Sequence, residues 1–162
     1  MSTVPETPVV ARYQDPDSEQ TLAEGLEEYY ASMGNLDPLE DMDPEARALF
    51  DRHDAAHVVF GCDTTIEQEV LMDTWTIFGS DVGVVAYAKY LKNPTARAIA
   101  LELGVWRTIV VTVRALPAVV RVFLATRRMK KRWPWDGFAA YRERPLREIR
   151  AELGVDVRAS VA

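Results

Sequence analysis

Two helices set back to back across a four-residue break constrain this chain more than any other feature. Asp43-Pro44 opens the first helix. Asp caps it, and Pro takes the first helical position, where a missing N–H costs nothing. Its inner face reads Ala46, Leu49, Phe50, His53, Ala56, His57 and Phe60 at helical spacing, and Gly61 stops it. Thr64-x-x-Glu67 is a capping box, and the helix it opens is expected to run from about Thr65 to Leu91, with Ile66, Val70, Ile77, Val84 and Tyr87 inside. A break as short as Gly61 to Thr64 folds two such helices into an antiparallel hairpin.

The rest of the chain is helical in pattern too. Apolar residues from Leu22 to Met33 mark a helix over about 17–33, ended by Gly34-Asn35, before a loop rich in Asp and Pro. Asn93-Pro94 repeats the cap-plus-proline signal. The stretch from Pro94 to about Arg132 is apolar with a regular basic stripe, in which Arg107, Arg114, Arg121 and Arg128 recur every seven residues and share one helix face. Pro117 is expected to kink or split that helix. Gly79 and Gly83 allow another backbone to come close. Trp133 to Gly137 reads as a turn, and a last helix runs from Pro145 to Gly154. Strand-like alternation is absent. These signals specify an all-α, single-domain helical bundle over 18–155, with residues 1–17 expected as a disordered tail and 156–162 as a C-terminal tail.

Composition narrows the function. The chain has 162 residues, enough for one domain with a real core. The lone cysteine, Cys62, excludes an internal disulfide and a multi-cysteine zinc site, and fits a reducing compartment. The first twenty residues lack the apolar stretch of a secretory signal, so a cytoplasmic location is expected. No uncharged run reaches the roughly 18 residues of a membrane span. The net charge of −6 hides a polarity. Residues 1–81 hold 3 basic and 19 acidic residues, and residues 82–162 hold 16 and 6. One half packing on the other, or a basic surface facing phosphate or lipid, accounts for that. The negative net charge and the absence of a recognition motif argue against nucleic acid.

The chemistry gathers at the hairpin. His53 and His57, the only two histidines, lie four residues apart and share a helix face. Eleven residues separate His57 from Glu69, which the hairpin sets level with it across the bend. Two imidazoles on an inner face need partners, and a shared cation supplies them. Nitrogen and carboxylate donors suit Zn²⁺, Fe²⁺ and Mn²⁺, and two histidines with one carboxylate leave coordination positions open. Asp54 either ligates or orients His57. Asp73, one turn beyond Glu69, is a second candidate ligand. A hydrogen-bonded core network without metal is the plain alternative. The zinc-protease motif has Glu where this chain has Asp54, and the His-Asp phosphohydrolases need further histidines.

His53-Asp54-x-x-His57 followed after eleven residues by Glu69 resembles the signature of the coenzyme Q (ubiquinone) biosynthesis protein four family. Gly61 and Asp63-Thr64 follow the motif as they do in that family. The ending from Arg144-Pro145-Leu146 to Leu153-Gly154-Val155 is similar to its terminal helix. The resemblance spans about Thr21 to Val155. It implies an all-helical fold and one divalent metal, Zn or Fe, on His53, Asp54, His57 and Glu69, with Asp54 and Glu69 as the catalytic carboxylates. It further implies oxidative removal of the ring carboxylate from a polyprenylated hydroxybenzoate, or a non-catalytic lipid-binding scaffold. The expected partners are that lipid, other quinone-biosynthesis proteins, a second copy of the chain and the inner face of the cell membrane. Arg107, Arg114 and Arg121 are candidates for the substrate or headgroup, and Ile109, Val113, Val120, Phe123 and Leu124 for a prenyl channel. Family members often have Gly before the motif Glu and Lys four residues after it. Gln68 and Asp73 stand there in this chain.

Overall fold

The computed structural model describes residues 10–33, 43–90 and 105–160. Its helices are α1 (Leu22–Ser32), α2 (Pro44–Phe60), α3 (Ile66–Gly79), α4 (Gly83–Tyr90), α5 (Val105–Thr126) and α6 (Leu146–Leu153). Short 3-10 turns cover Arg12–Gln14, Phe138–Tyr141 and Val157–Ser160. No strand occurs among the described residues, only the isolated bridges Thr21–Pro145 and Ser80–Trp133. The chain is an all-α, single-domain bundle. The Asn93-Pro94 helix start lies outside the described residues.

The α2–α3 hairpin forms as its punctuation dictates. Asp43 Oδ1 accepts the Glu45 and Ala46 N–H groups at 3.0 and 2.9 Å. At the other end Gly61 takes a left-handed conformation, φ 69°, and the Cys62 N–H closes back on the His57 carbonyl at 2.9 Å. The cap of α3 is Thr65, not Thr64. Asp63 Oδ1 accepts both the Thr65 N–H and its hydroxyl, and Thr65 Oγ1 turns to the Gln68 N–H.

Three expectations fail for long-range reasons. First, the helix expected to reach Leu91 stops at Gly79. Ser80 is extended, and the chain there pairs with a distant segment: Trp133 N–H donates to the Gly79 carbonyl at 2.8 Å, and Asp81 N–H to that of Trp133 at 3.0 Å. Gly83, at φ 71°, restarts the helix. Second, the tails are part of the fold over their described residues. Tyr13 is buried, and Arg150 donates to the carbonyls of Tyr13, Asp15, Val58 and Val59. At the other terminus, buried Ser160 accepts from Trp75 Nε1 at 2.8 Å, and its carbonyl accepts from Gln68 Nε2 at 2.9 Å. Third, α1 begins at Leu22, behind a Thr21–Glu24 capping box, because Ser18 and Gln20 give their carbonyls to Arg147 and Leu146.

Helix α5 continues through Pro117 without splitting. Pro117 is exposed, so the Val113 carbonyl that loses its partner is open to water. α5 packs along α3, and the two approach where an added Cβ on Gly79 would lie 3.0 Å from Met129 Sδ and 3.4 Å from the Thr126 methyl. Gly83 has open space beside it, so its role is conformational. Phe60 stacks on Trp75 at 4.9 Å and anchors the hairpin to the core, which includes Met72, Trp133 and Trp135. Among the described residues no helix is long and apolar enough to cross a membrane.

Candidate metal centre

His53 and His57 project from the last turns of α2, with ring centroids 4.7 Å apart. Glu69 stands opposite, in the first turn of α3. Its Oε1 lies 3.3 Å from His57 Nε2 and its Oε2 lies 3.7 Å from His53 Nε2. One donor atom from each of the three falls within 4.8 Å of the others, so His53, His57 and Glu69 form a group that can hold a metal ion.

Each imidazole is aimed by its other nitrogen. His57 Nδ1 faces the Cys62 carbonyl at 3.3 Å, a contact created by the left-handed turn at Gly61. With the proton on Nδ1, Nε2 keeps its lone pair for the centre. His53 Nδ1 faces Asp54 Oδ1 at 3.5 Å, which likewise directs Nε2 toward Glu69. A carboxylate or carbonyl behind each ligating histidine is the usual arrangement at metal sites, because it fixes tautomer and ring angle.

Asp54 thus sits behind the three-donor group. It is buried, lies outside the three-donor group, and supports His53 where the sequence suggested His57. Burial, together with the charge of Asp54, raises the nearby Tyr30 phenol, and Tyr29 lies against the His57 ring at 5.2 Å. Asp73 turns to Tyr87, whose hydroxyl donates to its Oδ1 at 2.5 Å. The solvent face of α5 carries Arg114 and Arg121, and the side chain of Arg107 is outside the described residues. Val113, Val120, Phe123 and Leu124 are exposed on α5, so they form an outer stripe, not an internal channel. Ile109 is outside the described side chains.

The electrostatics favour a cation. Burial pulls the His53 imidazole down, but its Asp54 hydrogen bond and the charges of Glu69, Asp54 and Asp73 outweigh this, and the net shift is upward. Burial pushes Glu69 up, yet the close approach of His57 at 3.3 Å and the charge of His53 bring it below the ordinary value. Burial raises Asp73 above its ordinary value despite the Tyr87 hydrogen bond.

One atom tests the fit. His57 is fully buried, and its Nε2 has no hydrogen-bond partner; Glu69 Oε1 is near it without hydrogen-bond alignment. Leaving such an atom unsatisfied costs about 1–3 kcal/mol. A cation between it and Glu69 removes that cost, and the residues present fit the group. Side-chain exposure of 22% at His53 and 32% at Glu69 leaves the centre open on one side.

Sequence reasoning missed the Cys62 carbonyl, Tyr29, Tyr30 and the Tyr87 contact. Gly61 signalled the first, since a glycine C-cap returns the following residue over the last turn. The tyrosines come from α1 and α4 and have no local signal.

No family model, curated protein or solved structure matches this chain.

Proposed function

We propose that this chain binds one divalent transition-metal ion through His53, His57 and Glu69 and uses it on a polyprenylated hydroxybenzoate, whose ring carboxylate is removed oxidatively. The observation that carries the metal reading is the orphaned, fully buried His57 Nε2 facing Glu69. The substrate rests on the His-Asp-x-x-His…Glu signature. Two imidazoles and one carboxylate occupy one side of an ion and leave the remainder for substrate, the pattern common in oxygen-using iron sites. Bound there, a redox-active ion supplies the dioxygen and electron chemistry of the reaction. The balance requires an external two-electron donor: carboxylate, dioxygen, two electrons and three protons give phenol, carbon dioxide and water.

The residues do the positioning. Cys62 and Asp54 hold the two imidazoles, Glu69 supplies the anionic donor, and Tyr29 shields the His57 side from water. The exposed stripe of α5 (Val113, Leu116, Val120, Leu124) offers an apolar surface to a prenyl chain or a bilayer, with Arg114 and Arg121 along its edge. That stripe also favours a second reading, a metal-stabilised lipid-binding scaffold for other quinone-biosynthesis proteins. Iron-loaded chain, mixed with a prenylated hydroxybenzoate, oxygen and a reductant, should release carbon dioxide from the ring carboxylate. Tight metal and lipid binding without release selects the scaffold. Absence of both lipid binding and release rejects the quinone assignment.

A further inference from the structure

The break between α3 and α4 has a consequence for the metal centre. Had α3 run on to Leu91, the fourteen residues from Asp73 to Tyr87 would span about 21 Å along the axis. The turn at Ser80–Gly83 instead brings the Tyr87 hydroxyl to 2.5 Å from Asp73 Oδ1. Tyr87 is nearly fully buried, and its ring meets Trp135 edge to face at 5.9 Å. Trp135 is in turn tied to the break, its N–H donating to Asp81 Oδ1 at 2.8 Å. The phenol is therefore held in place by the core.

Asp73 needs such a hold. It lies one turn beyond Glu69 on the same face of α3 and is close enough to His53, His57 and Glu69 to exchange electrostatic influence with all three. It is a half-buried carboxylate beside a cation site, the position from which a fourth protein ligand would come. One of its oxygens, Oδ1, is engaged by the Tyr87 hydroxyl.

We propose that Tyr87 is a positioning residue that holds the Asp73 carboxylate off the cation and so keeps a coordination position open for an outside ligand. The inference rests on the metal reading above. A three-donor centre with an open position binds small exogenous anions, whereas one closed by a fourth carboxylate excludes them and holds its ion more tightly. The Tyr87–Asp73 pair selects between these states.

The test uses Co²⁺ as the metal, azide as the outside ligand and visible absorption as the readout. Tyr87→Phe keeps the ring and removes only the hydroxyl. It should bind Co²⁺ roughly tenfold more tightly and azide roughly tenfold more weakly than wild type, with a changed Co²⁺ spectrum. Asp73→Asn alone should retain wild-type Co²⁺ affinity and azide binding. In the double variant, Asp73→Asn should reverse the effect of Tyr87→Phe. A purely structural role for Tyr87 would not give that reversal. The proposal is overturned if Tyr87→Phe binds Co²⁺ and azide as wild type does, or if Asp73→Asn alone weakens Co²⁺ binding tenfold. Failure of wild type to take up Co²⁺ would remove the metal reading itself. Uptake with an unmoved Tyr87→Phe spectrum would remove only this inference.

Discussion

Arg150 joins the N-terminal segment to the end of the metal-bearing helix, and replacing it with Met isolates that function. Met keeps much of the buried stem volume but removes every donor. Four carbonyls lose the guanidinium: Val59 at 2.9 Å, Val58 at 2.9 Å, Asp15 at 2.6 Å and Tyr13 at 2.5 Å. Two of them keep another partner, since Gly61 N–H donates to Val58 and Ser18 N–H to Asp15. The Val59 and Tyr13 carbonyls are left buried and unpaired, at about 1–3 kcal/mol each. Against that sum of about 2–6 kcal/mol stands the desolvation cost of the guanidinium, which Met abolishes. That cost is real, because burial lowers the Arg150 pKa to about 10. The net destabilisation is expected in the lower half of the range, about 2–4 kcal/mol, a large share of a typical domain's stability of about 5–15 kcal/mol. Urea unfolding followed by circular dichroism measures it. A loss below about 1 kcal/mol would refute the argument, because it would mean that water satisfies both carbonyls.

Three further outcomes follow from the same geometry. Gly61→Ala forces a left-handed conformation on a residue with a Cβ and presses it within 3.1 Å of Val157, so stability should fall by about 1–2 kcal/mol. It should also weaken metal binding, because the turn that aims the Cys62 carbonyl at His57 is strained; calorimetric titration with Zn²⁺ reads this. In the metal-free protein the raised His53 value contributes stability that is complete below about pH 6.5 and is lost as pH rises through the folded value, while the lowered Glu69 value contributes stability lost only as pH falls through its own. Metal-dependent stabilisation has the opposite pH sense near neutrality. It is lost as pH falls and protons displace the ion, so thermal melts with and without Zn²⁺ should converge below about pH 6. On α5, Val120→Asp should leave stability within about 0.5 kcal/mol, since Val120 is 54% exposed, yet weaken binding to anionic vesicles. Unchanged vesicle binding, read by co-sedimentation, would detach that face from lipid.

Where a helix end is decided by its own residues, the sequence shows it. Asp43-Pro44, Gly61 and Gly154 mark their ends to the residue, and the spacing of His53, His57 and Glu69 specifies their convergence once the hairpin forms. Where an end is decided by distant backbone, it does not. The stop at Gly79 depends on Trp133 N–H, and the late start of α1 on carbonyls taken by Leu146 and Arg147. Tyr13 joins the core because Arg150 holds its carbonyl across the whole domain. Asp54 illustrates the same limit within the site. Its place beside the histidines was legible, but whether it faces the ion or the back of a ring depends on side-chain direction. It is buried, and its Oδ1 faces His53 Nδ1.

The central claim is that the buried, unpartnered His57 Nε2 belongs to a metal centre. Elemental analysis of the purified chain, beside a His57→Ala variant prepared in parallel, tests it most directly. The account predicts close to one transition-metal ion per wild-type chain and almost none in the variant, with both proteins folded. Equal metal content in the two, or a folded wild type that takes up none when Zn²⁺ or Fe²⁺ is supplied, would contradict it.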